Sequence, residues 1–313
     1  MKKDSRIFVA GHKGLVGSAI VRKLKDSGYT NIITVDREEV DLTNNEQVSW
    51  LMSAYAPEYV FLAAAKVGGI NYNKTYPADF IYENLQIQNN VIHNAYKHGI
   101  KKLLFLGSAC IYPTVTEQPI KEEQLMTGLL EPTNEGYALA KIAGLKMCAM
   151  YKKQYGFNAI SLMPANIYGV NDNFNIDQCH VIPAMINKFL NAKNNSRDSV
   201  TLFGDGSSYR EFLYVDDLAD ACIFLMNNYD KPEHINVGSA DEYSIKDLSK
   251  IVADVVGYTG NIIWDTSKPN GMPRRKLDTS KLDSLGWKST VDLKEGLQKT
   301  IEWYLENGDK VHE

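Results

Sequence analysis

An apolar run, Arg6-Ile7-Phe8-Val9-Ala10, passes directly into Gly11-His12-Lys13-Gly14-Leu15-Val16-Gly17, and a helix-like stretch follows to about Ser27-Gly28. The run reads as a strand buried on both faces, and Gly28 as the residue that closes the helix. A strand that turns through three glycines into a helix is the opening of a parallel βα series. The glycines permit a tight turn, close approach of a pyrophosphate to the backbone, and close helix–strand packing. Their spacing is GxxGxxG rather than the commoner GxGxxG, so by themselves they also fit a turn that only packs. Their place after a first strand favours dinucleotide binding.

The rest of the chain repeats the pattern. Strands are expected at Asn31–Val35, Tyr59–Ala63, Leu103–Leu106 and Asn158–Met163, and helices near Glu46–Tyr55, Pro77–Gly99 and Asn134–Gln154. Alternating strands and helices predict an α/β fold with a doubly wound parallel Rossmann sheet. The pattern changes after Pro164. Asn166–Gln178 reads as loop, His180–Leu190 as helix, Asn191–Ser199 as polar surface loop, and Thr201–Gly206 as a short strand and turn. Glu211–Val215 with Asp216–Met226 looks like a further βα unit, and Ser244–Val256 and Leu293–Asn307 read as amphipathic helices. The expected division is a dinucleotide domain, 1–168 plus 211–238, and a smaller α/β substrate domain, 169–210 plus 239–313.

A formal net charge of −4 over 313 residues gives no polybasic case for nucleic acid or an anionic membrane surface. The apolar run Val60–Ala65 is strand-sized, too short to cross a bilayer. The basic N-terminus is not followed by a signal-like apolar segment. The cysteines Cys110, Cys148, Cys179 and Cys222 form no CxxC pair and no zinc-like spacing with histidine, which predicts no metal site and a reducing compartment. The expectation is a cytoplasmic protein.

Two further stretches carry chemistry. Asp36 ends the second expected strand, where an acid would hold an adenosine ribose and repel a 2′-phosphate. Arg37 beside it and Lys13 in the glycine loop would instead attract that phosphate. The balance favours NADP(H). The fourth strand runs into Gly107-Ser108-Ala109-Cys110-Ile111-Tyr112-Pro113, and Tyr137-Ala138-Leu139-Ala140-Lys141 follows on a helix. Residues four apart share a helix face, so the Lys141 ammonium would favour the Tyr137 phenolate and let it exchange a proton with a carbonyl oxygen. The bland alternatives are a solvent-facing Tyr–Lys pair and, for Cys110, a small buried apolar residue.

These motifs resemble those of the extended short-chain dehydrogenase/reductases and, within them, the GDP-L-fucose synthase family. The specific stretches are Gly11–Ile20, Ala63-Ala64-Ala65-Lys66-Val67-Gly68-Gly69-Ile70, Thr75–Tyr82, Leu103–Pro113, Glu131–Glu135, Tyr137–Gly144, His180–Ala184, Arg210–Leu213 and Val215–Asp217. The resemblance covers nearly the whole chain. It implies NADPH-dependent 3,5-epimerisation and 4-reduction of GDP-4-keto-6-deoxy-D-mannose. Ser108 and Tyr137 would polarise the C4 ketone, with Lys141 as partner of Tyr137. Cys110 and His180 would be base and acid at C3 and C5. Beyond the glycine loop, Asp41 and Leu42, then Leu106, Gly107, Ser108 and Ala109, would line the cofactor. Pro164, Ala165, Asn166 and Ile167, with Lys141 and His180, would surround its nicotinamide end. Lys188, Phe203, Arg210 and Asn270 would contact the GDP-sugar, Arg210 as a bidentate diphosphate ligand and Phe203 as a stacking platform. A homodimer through the two long helices is also implied.

Four residues depart from that family's usual pattern: Ala109 for a second serine, Ala165 for threonine, Val170 for proline and Asn270 for aspartate. They leave open a C4-reductase, with or without epimerisation, of another GDP-4-keto sugar such as a 4-keto-heptose. A non-catalytic nucleotide-sensing protein on this fold would lack the tyrosine or lysine, and both are present.

Overall fold

The apolar runs of the first half pair into one sheet. The computed structural model describes residues 1–175, 178–268 and 270–308. β1 (Ile7–Ala10) leads to α1 (Leu15–Asp26) and β2 (Ile32–Ile33) to α2 (Asn45–Tyr55). β3 (Tyr59–Leu62) leads to α3 (Ile70–Thr75) and α4 (Pro77–Lys97), and β4 (Lys102–Leu106) to α5 (Glu135–Tyr155) and β5 (Ala159–Pro164). Then come β6 (Asn166–Tyr168), α6 (Val181–Asn194), β7 (Ser199–Phe203), β8 (Tyr209–Tyr214), α7 (Val215–Asn228) and β9 (Ile235–Val237). The chain ends with β10 (Glu242–Ser244), α8 (Ile245–Val256), β11 (Asn261–Asp265), β12 (Arg274–Arg275), α9 (Ser280–Ser284) and α10 (Leu293–Asn307).

Six strands form a wholly parallel sheet of order β2-β1-β3-β4-β5-β9. Alternate strand residues enter opposite cores, as the period of two requires. Ile7, Val9, Phe61, Leu104 and Ile160 pack with α1 and α7, whereas Phe8, Val60, Leu103 and Phe105 pack with α2, α4 and α5. The fold class is therefore the expected doubly wound α/β architecture. Strand order reverses between β1 and β3, and the crevice beyond the carboxyl ends at that point is where such sheets bind ligands.

A third core joins α6, α8 and α10 to β7 and β8 through Phe189, Leu202, Phe212, Leu248 and Leu297. β8 lies between β10 and β12 and also pairs with β6, while β7 pairs in parallel with β11.

The sequence expectations miss the short elements β9, β10, β11, β12 and α9 and differ from the structure elsewhere as well. The second strand shortens to Ile32–Ile33. Val67–Gly69 leads into the short helix α3, which was not expected. Asn166–Tyr168, read as the start of a loop, is a strand, because it pairs with Phe212–Tyr214 across a gap that local sequence does not encode. The helix read as ending at Leu190 continues to Asn194, so Asn191–Asn194 is not loop; Ala192 there is buried in the third core. Residues 176 and 177 of the expected Asn166–Gln178 loop, and Pro269 of the Lys268–Gly271 stretch, lie outside the described residues. Among the described residues no helix is long and apolar enough to cross a membrane.

Candidate active site

The glycine loop packs against the end of β3. Gly11 has φ +84°, and a Cβ there would lie 2.8 Å from the Ala64 Cα. A Cβ on Gly17 would lie 2.0 Å from the Gly11 carbonyl oxygen. Neither position has room for a side chain, so glycine brings α1 close to the loop. Gly14 precedes α1 without a side-chain cap, and the first turn of α1 carries no acid. Its first N–H groups are therefore available to an anion at the dipole's positive end, which fits a dinucleotide pyrophosphate.

Asp36 beyond β2 is ion-paired through Oδ1 with Lys13 Nζ at 2.7 Å, with His12 Nε2 at 3.3 Å. The Lys13 ammonium beside it holds the Asp36 carboxyl below its ordinary range. Arg37 stands largely exposed, its nearest carboxylate Glu83 at 3.9 Å. Asp41 turns back to accept from the N–H and hydroxyl of Thr43 at 2.9 and 2.8 Å. The Leu42 carbonyl accepts from Asn90 on α4.

β4 delivers Ser108 and Cys110, and α5 delivers Tyr137 and Lys141. Ser108 is extended and starts a 3-10 turn, Ala109–Ile111; its Oγ accepts from Cys110 N at 3.3 Å. Glu131 braces the entry to α5, its Oε2 accepting from Thr133 N, Thr133 Oγ1 and Asn134 N. Buried Lys141 donates to the Leu106 carbonyl at 2.8 Å, with Nζ 5.6 Å from the centre of the Tyr137 ring. Burial pushes Lys141 down to about 8, opposed by the charge that Cys110 can carry. Burial also raises the Tyr137 phenol, and Ser108 works against that rise. The expected preference for phenolate is therefore outweighed by desolvation, and Tyr137 is a protonated phenol, the form that gives a proton. Burial likewise raises the Cys110 thiol, against Ser108, Arg275 and Lys141, which lower it.

The Ala63–Ile70 stretch closes one side. Asn84 bonds both the N–H and the carbonyl of Lys66, and Lys66 Nζ reaches Glu83 at 2.5 Å. Gly69 N donates to the Gln178 carbonyl at 2.7 Å, which ties this loop to the start of α6. His180 is the residue before that helix. Its ring meets solvent but is crowded by protein, and the desolvation lowers it. Pro164 ends β5 against Val237, Ala165 N donates to the Val237 carbonyl, and Asn166 donates to the Glu211 carbonyl. Ile167 packs beside the first core.

Lys188 and Phe203 do come together. Lys188 Nζ lies 4.6 Å from the Phe203 ring centre and donates to the Thr201 carbonyl, while Lys268 Nζ approaches the same ring at 6.0 Å. Phe203 is 59% exposed, an open platform for a planar base. Arg210 donates to the Tyr209 carbonyl, and burial pushes it down to about 10, helped by the charge of Arg275. Asn270 does something not foreseen: its Oδ1 accepts from Asp205 N at 2.7 Å and so holds the Gly204–Gly206 turn beside Phe203. Arg275 itself was missed. It stands in a basic run, Arg274-Arg275-Lys276, which in sequence is indistinguishable from a solvated edge.

Over residues 7–238 the chain matches the NAD dependent epimerase/dehydratase family. It is 56% identical over 305 residues to GDP-L-fucose synthase 1 of Arabidopsis thaliana, covering 97% of this chain and 94% of that one. A GDP-6-OMe-4-keto-L-xylo-heptose reductase from C. jejuni superposes with TM-score 0.93 at 38% identity, over 98% and 99% of the two chains. A GDP-L-fucose synthetase from Naegleria fowleri, solved bound to NADP, superposes with TM-score 0.92 at 28% identity, over 100% and 98%. The chain belongs to the NAD dependent epimerase/dehydratase family, among the relatives of GDP-L-fucose synthase.

Proposed function

We propose that this chain is an NADPH-dependent epimerase/reductase that converts GDP-4-keto-6-deoxy-D-mannose to GDP-L-fucose. The observation that supports this most is the meeting of Ser108, Cys110, Tyr137 and Lys141 at the carboxyl end of β4, beside a glycine loop built for a dinucleotide. The identity with a GDP-L-fucose synthase over nearly the whole chain adds the substrate class.

NADPH, when bound, supplies the hydride for C4. Gly11–Gly17 hold its pyrophosphate, and Lys13, Asp36 and Arg37 its adenosine ribose end, with Asp41 and Leu42 behind. Leu106–Ala109, Pro164–Ile167, Lys141 and His180 surround the nicotinamide side. Tyr137 gives its proton to the C4 oxygen, Ser108 hydrogen-bonds the same oxygen, and Lys141 stabilises the charge left on the phenol. The 4-keto group makes the C3 and C5 protons acidic, because the carbanion is an enolate. Cys110 as thiolate removes each proton, and His180 as imidazolium returns one to the opposite face. Lys188, Phe203 and Arg210 hold the GDP portion, with Asn270 shaping the turn beside Phe203. The first domain, 1–168 plus 211–238, carries the cofactor and the second, 169–210 plus 239–313, the GDP-sugar.

The same reading includes a cytoplasmic setting, supported by the free thiols of Cys110, Cys148 and Cys222, and a homodimer through α4 and α5. The support for the dimer is apolar exposure on those helices, with Tyr82 62% exposed and Leu139 and Met150 also exposed. A single sedimentation boundary at monomer mass at micromolar concentration would reject the dimer.

The deciding experiment follows NADPH oxidation with GDP-4-keto-6-deoxy-D-mannose in D₂O and reads the product by NMR. Deuterium at C3 and C5 with the L-galacto configuration is expected. A second reading, C4 reduction of a GDP-4-keto-heptose, draws on the likeness to the heptose reductase. It predicts slow NADPH oxidation on the 6-deoxy sugar and no deuterium at C3 or C5.

A further inference from the structure

Arg275 joins two parts of the site that the sequence keeps 166 residues apart. Its Nη1 donates to the Ala109 carbonyl at 2.7 Å, so the guanidinium grips the short turn that carries Cys110. Its Nη2 rests on the Met272 sulfur at 3.0 Å. On the other side Arg275 is the direct parallel partner of Arg210 in the β12–β8 register. Among the described residues neither guanidinium is ion-paired to a carboxylate; Glu131 acts on Arg275 only at longer range. Two half-buried like charges therefore stand side by side, one of them reaching into the strand end of the other domain. A fixed charge in such a water-poor place acts strongly on the nearest ionisable group.

We propose that Arg275 is a positioning residue for epimerisation: it holds the Ala109–Cys110 turn and supplies the positive charge that lets the Cys110 thiol ionise. This rests on the assignment of Cys110 as the base. The groups that face Cys110 are Ser108 on its own turn, Tyr137 and Lys141 on α5, and Arg275 from β12. Lys141 is itself pushed down by burial and is committed to the Leu106 carbonyl. Arg275 keeps its charge at all working pH values and is the fixed cation of the set. Burial still leaves the thiol above its ordinary range, so the thiolate is a minor form whose amount follows this charge directly.

The test is the pH dependence of Cys110 alkylation by iodoacetamide, read by site-resolved mass spectrometry on the full-length protein without sugar. Arg275→Gln is expected to move the alkylation midpoint upward by about one pH unit, a roughly tenfold loss of thiolate at neutral pH. Arg275→Lys keeps the charge and loses the planar fork. It should retain most of the thiolate and give an intermediate rate of deuterium entry at C3 and C5. Arg275→Gln should slow that entry about tenfold, with NADPH affinity unchanged. Wild-type alkylation and exchange rates in both variants, or an equal loss in both, would overturn the proposal. If the wild-type protein shows no exchange at C3 and C5, the epimerase assignment fails while the alkylation arm still measures what Arg275 does to Cys110.

Discussion

Lys13 Nζ lies 2.7 Å from Asp36 Oδ1, and His12 Nε2 shares that carboxylate oxygen at 3.3 Å. An acid at the end of β2 ordinarily excludes a ribose 2′-phosphate. Here the acid is occupied by a cation from the glycine loop, and Arg37 next to it, largely exposed and only 3.9 Å from Glu83, is the cation that the proposed reading gives to the phosphate. Lys13→Ala therefore raises the KM for NADPH, by about fivefold as expected for an exposed charge, and leaves the KM for NADH nearly unchanged. Initial rates with both cofactors check this. Equal changes for the two cofactors would mean that Lys13 serves the pyrophosphate instead.

Tyr137 and Lys141 separate by pH. Tyr137 is raised above its ordinary value, while Lys141 sits at about 8. In the proposed mechanism Lys141 as ammonium is the form that steadies the phenolate left after proton transfer. The kcat/KM for NADPH oxidation is thus highest below pH 8 and falls as the pH rises through about 8. Lys141→Met removes that alkaline limb, and Tyr137→Phe lowers kcat by roughly 10²–10⁴ without weakening NADPH binding measured by fluorescence. A wild-type profile flat to pH 10 would rule out Lys141 as the titrating group.

Cys110 and His180 are shifted in opposite directions, the thiol upward and the imidazole downward, both chiefly by burial. In the proposed mechanism the working pair is thiolate with imidazolium, and neither is the major form near neutrality. Raising the pH gains thiolate and loses imidazolium in equal proportion between the two values, so deuterium entry at C3 and C5 shows a broad plateau. Its acid limb lies below the ordinary imidazole value and its alkaline limb above the ordinary thiol value. Cys110→Ser and His180→Gln should each slow the exchange by about a hundredfold or more. A narrow optimum centred on the ordinary imidazole value would contradict the assignment.

Asp172 governs a stability change with pH. It is buried, its Oδ2 has no partner, and burial pushes it up to about 7 against the bond from Asn173 N. The folded state thus keeps a proton that the unfolded chain gives up near pH 4. Between those values the native protein binds more protons, so this group makes stability fall as pH rises through pH 4 to 7. Asp172→Asn keeps the Oδ1 acceptor and removes the titration. It should be more stable than wild type by about 1–3 kcal/mol at pH 8 and equal to it near pH 4. Urea midpoints at the two pH values decide; a constant difference across the range would refute the buried-carboxyl origin.

The first half of the fold was readable because each βα unit is locally consistent: a buried strand, a glycine, and a helix with one apolar face. The Tyr137–Lys141 pair was readable for the same reason, since one helix turn brings the two together. What could not be read depended on partners distant in the chain. Asn166–Tyr168 is a strand only because β8 is beside it, and Asn270 is spent on the Asp205 turn only because β11 brings them together. Arg275 looks like surface charge until β12 is laid against Arg210. The direction of the Tyr137 phenol was misjudged because a sequence shows neighbouring charges but not the water that burial removes.

Lys102 shows the same limit in the scaffold, and it can be tested without substrate. In sequence it is a lysine just ahead of the expected Leu103–Leu106 strand, yet its Nζ is buried at the end of α7. There it donates to the Met226 and Tyr229 carbonyls and to Asp230 Oδ1, each at 2.7 Å, and lies 3.4 Å from the Leu225 carbonyl. The last carbonyls of a helix have no partners within it, and here they lie away from water. Removing the ammonium strands them, whereas removing Asp230, 71% exposed at its side chain, gives up a mostly solvated ion pair. Lys102→Met should therefore cost about 2–4 kcal/mol, and Asp230→Ala less than about 1 kcal/mol. Both would appear as shifts in the urea midpoint at constant slope, with NADPH affinity intact. If Asp230→Ala cost as much as Lys102→Met, the ion pair would be the stabilising element and the carbonyl cap incidental. The expected order reflects the greater penalty of leaving buried acceptors unpaired than of separating charges that water already screens.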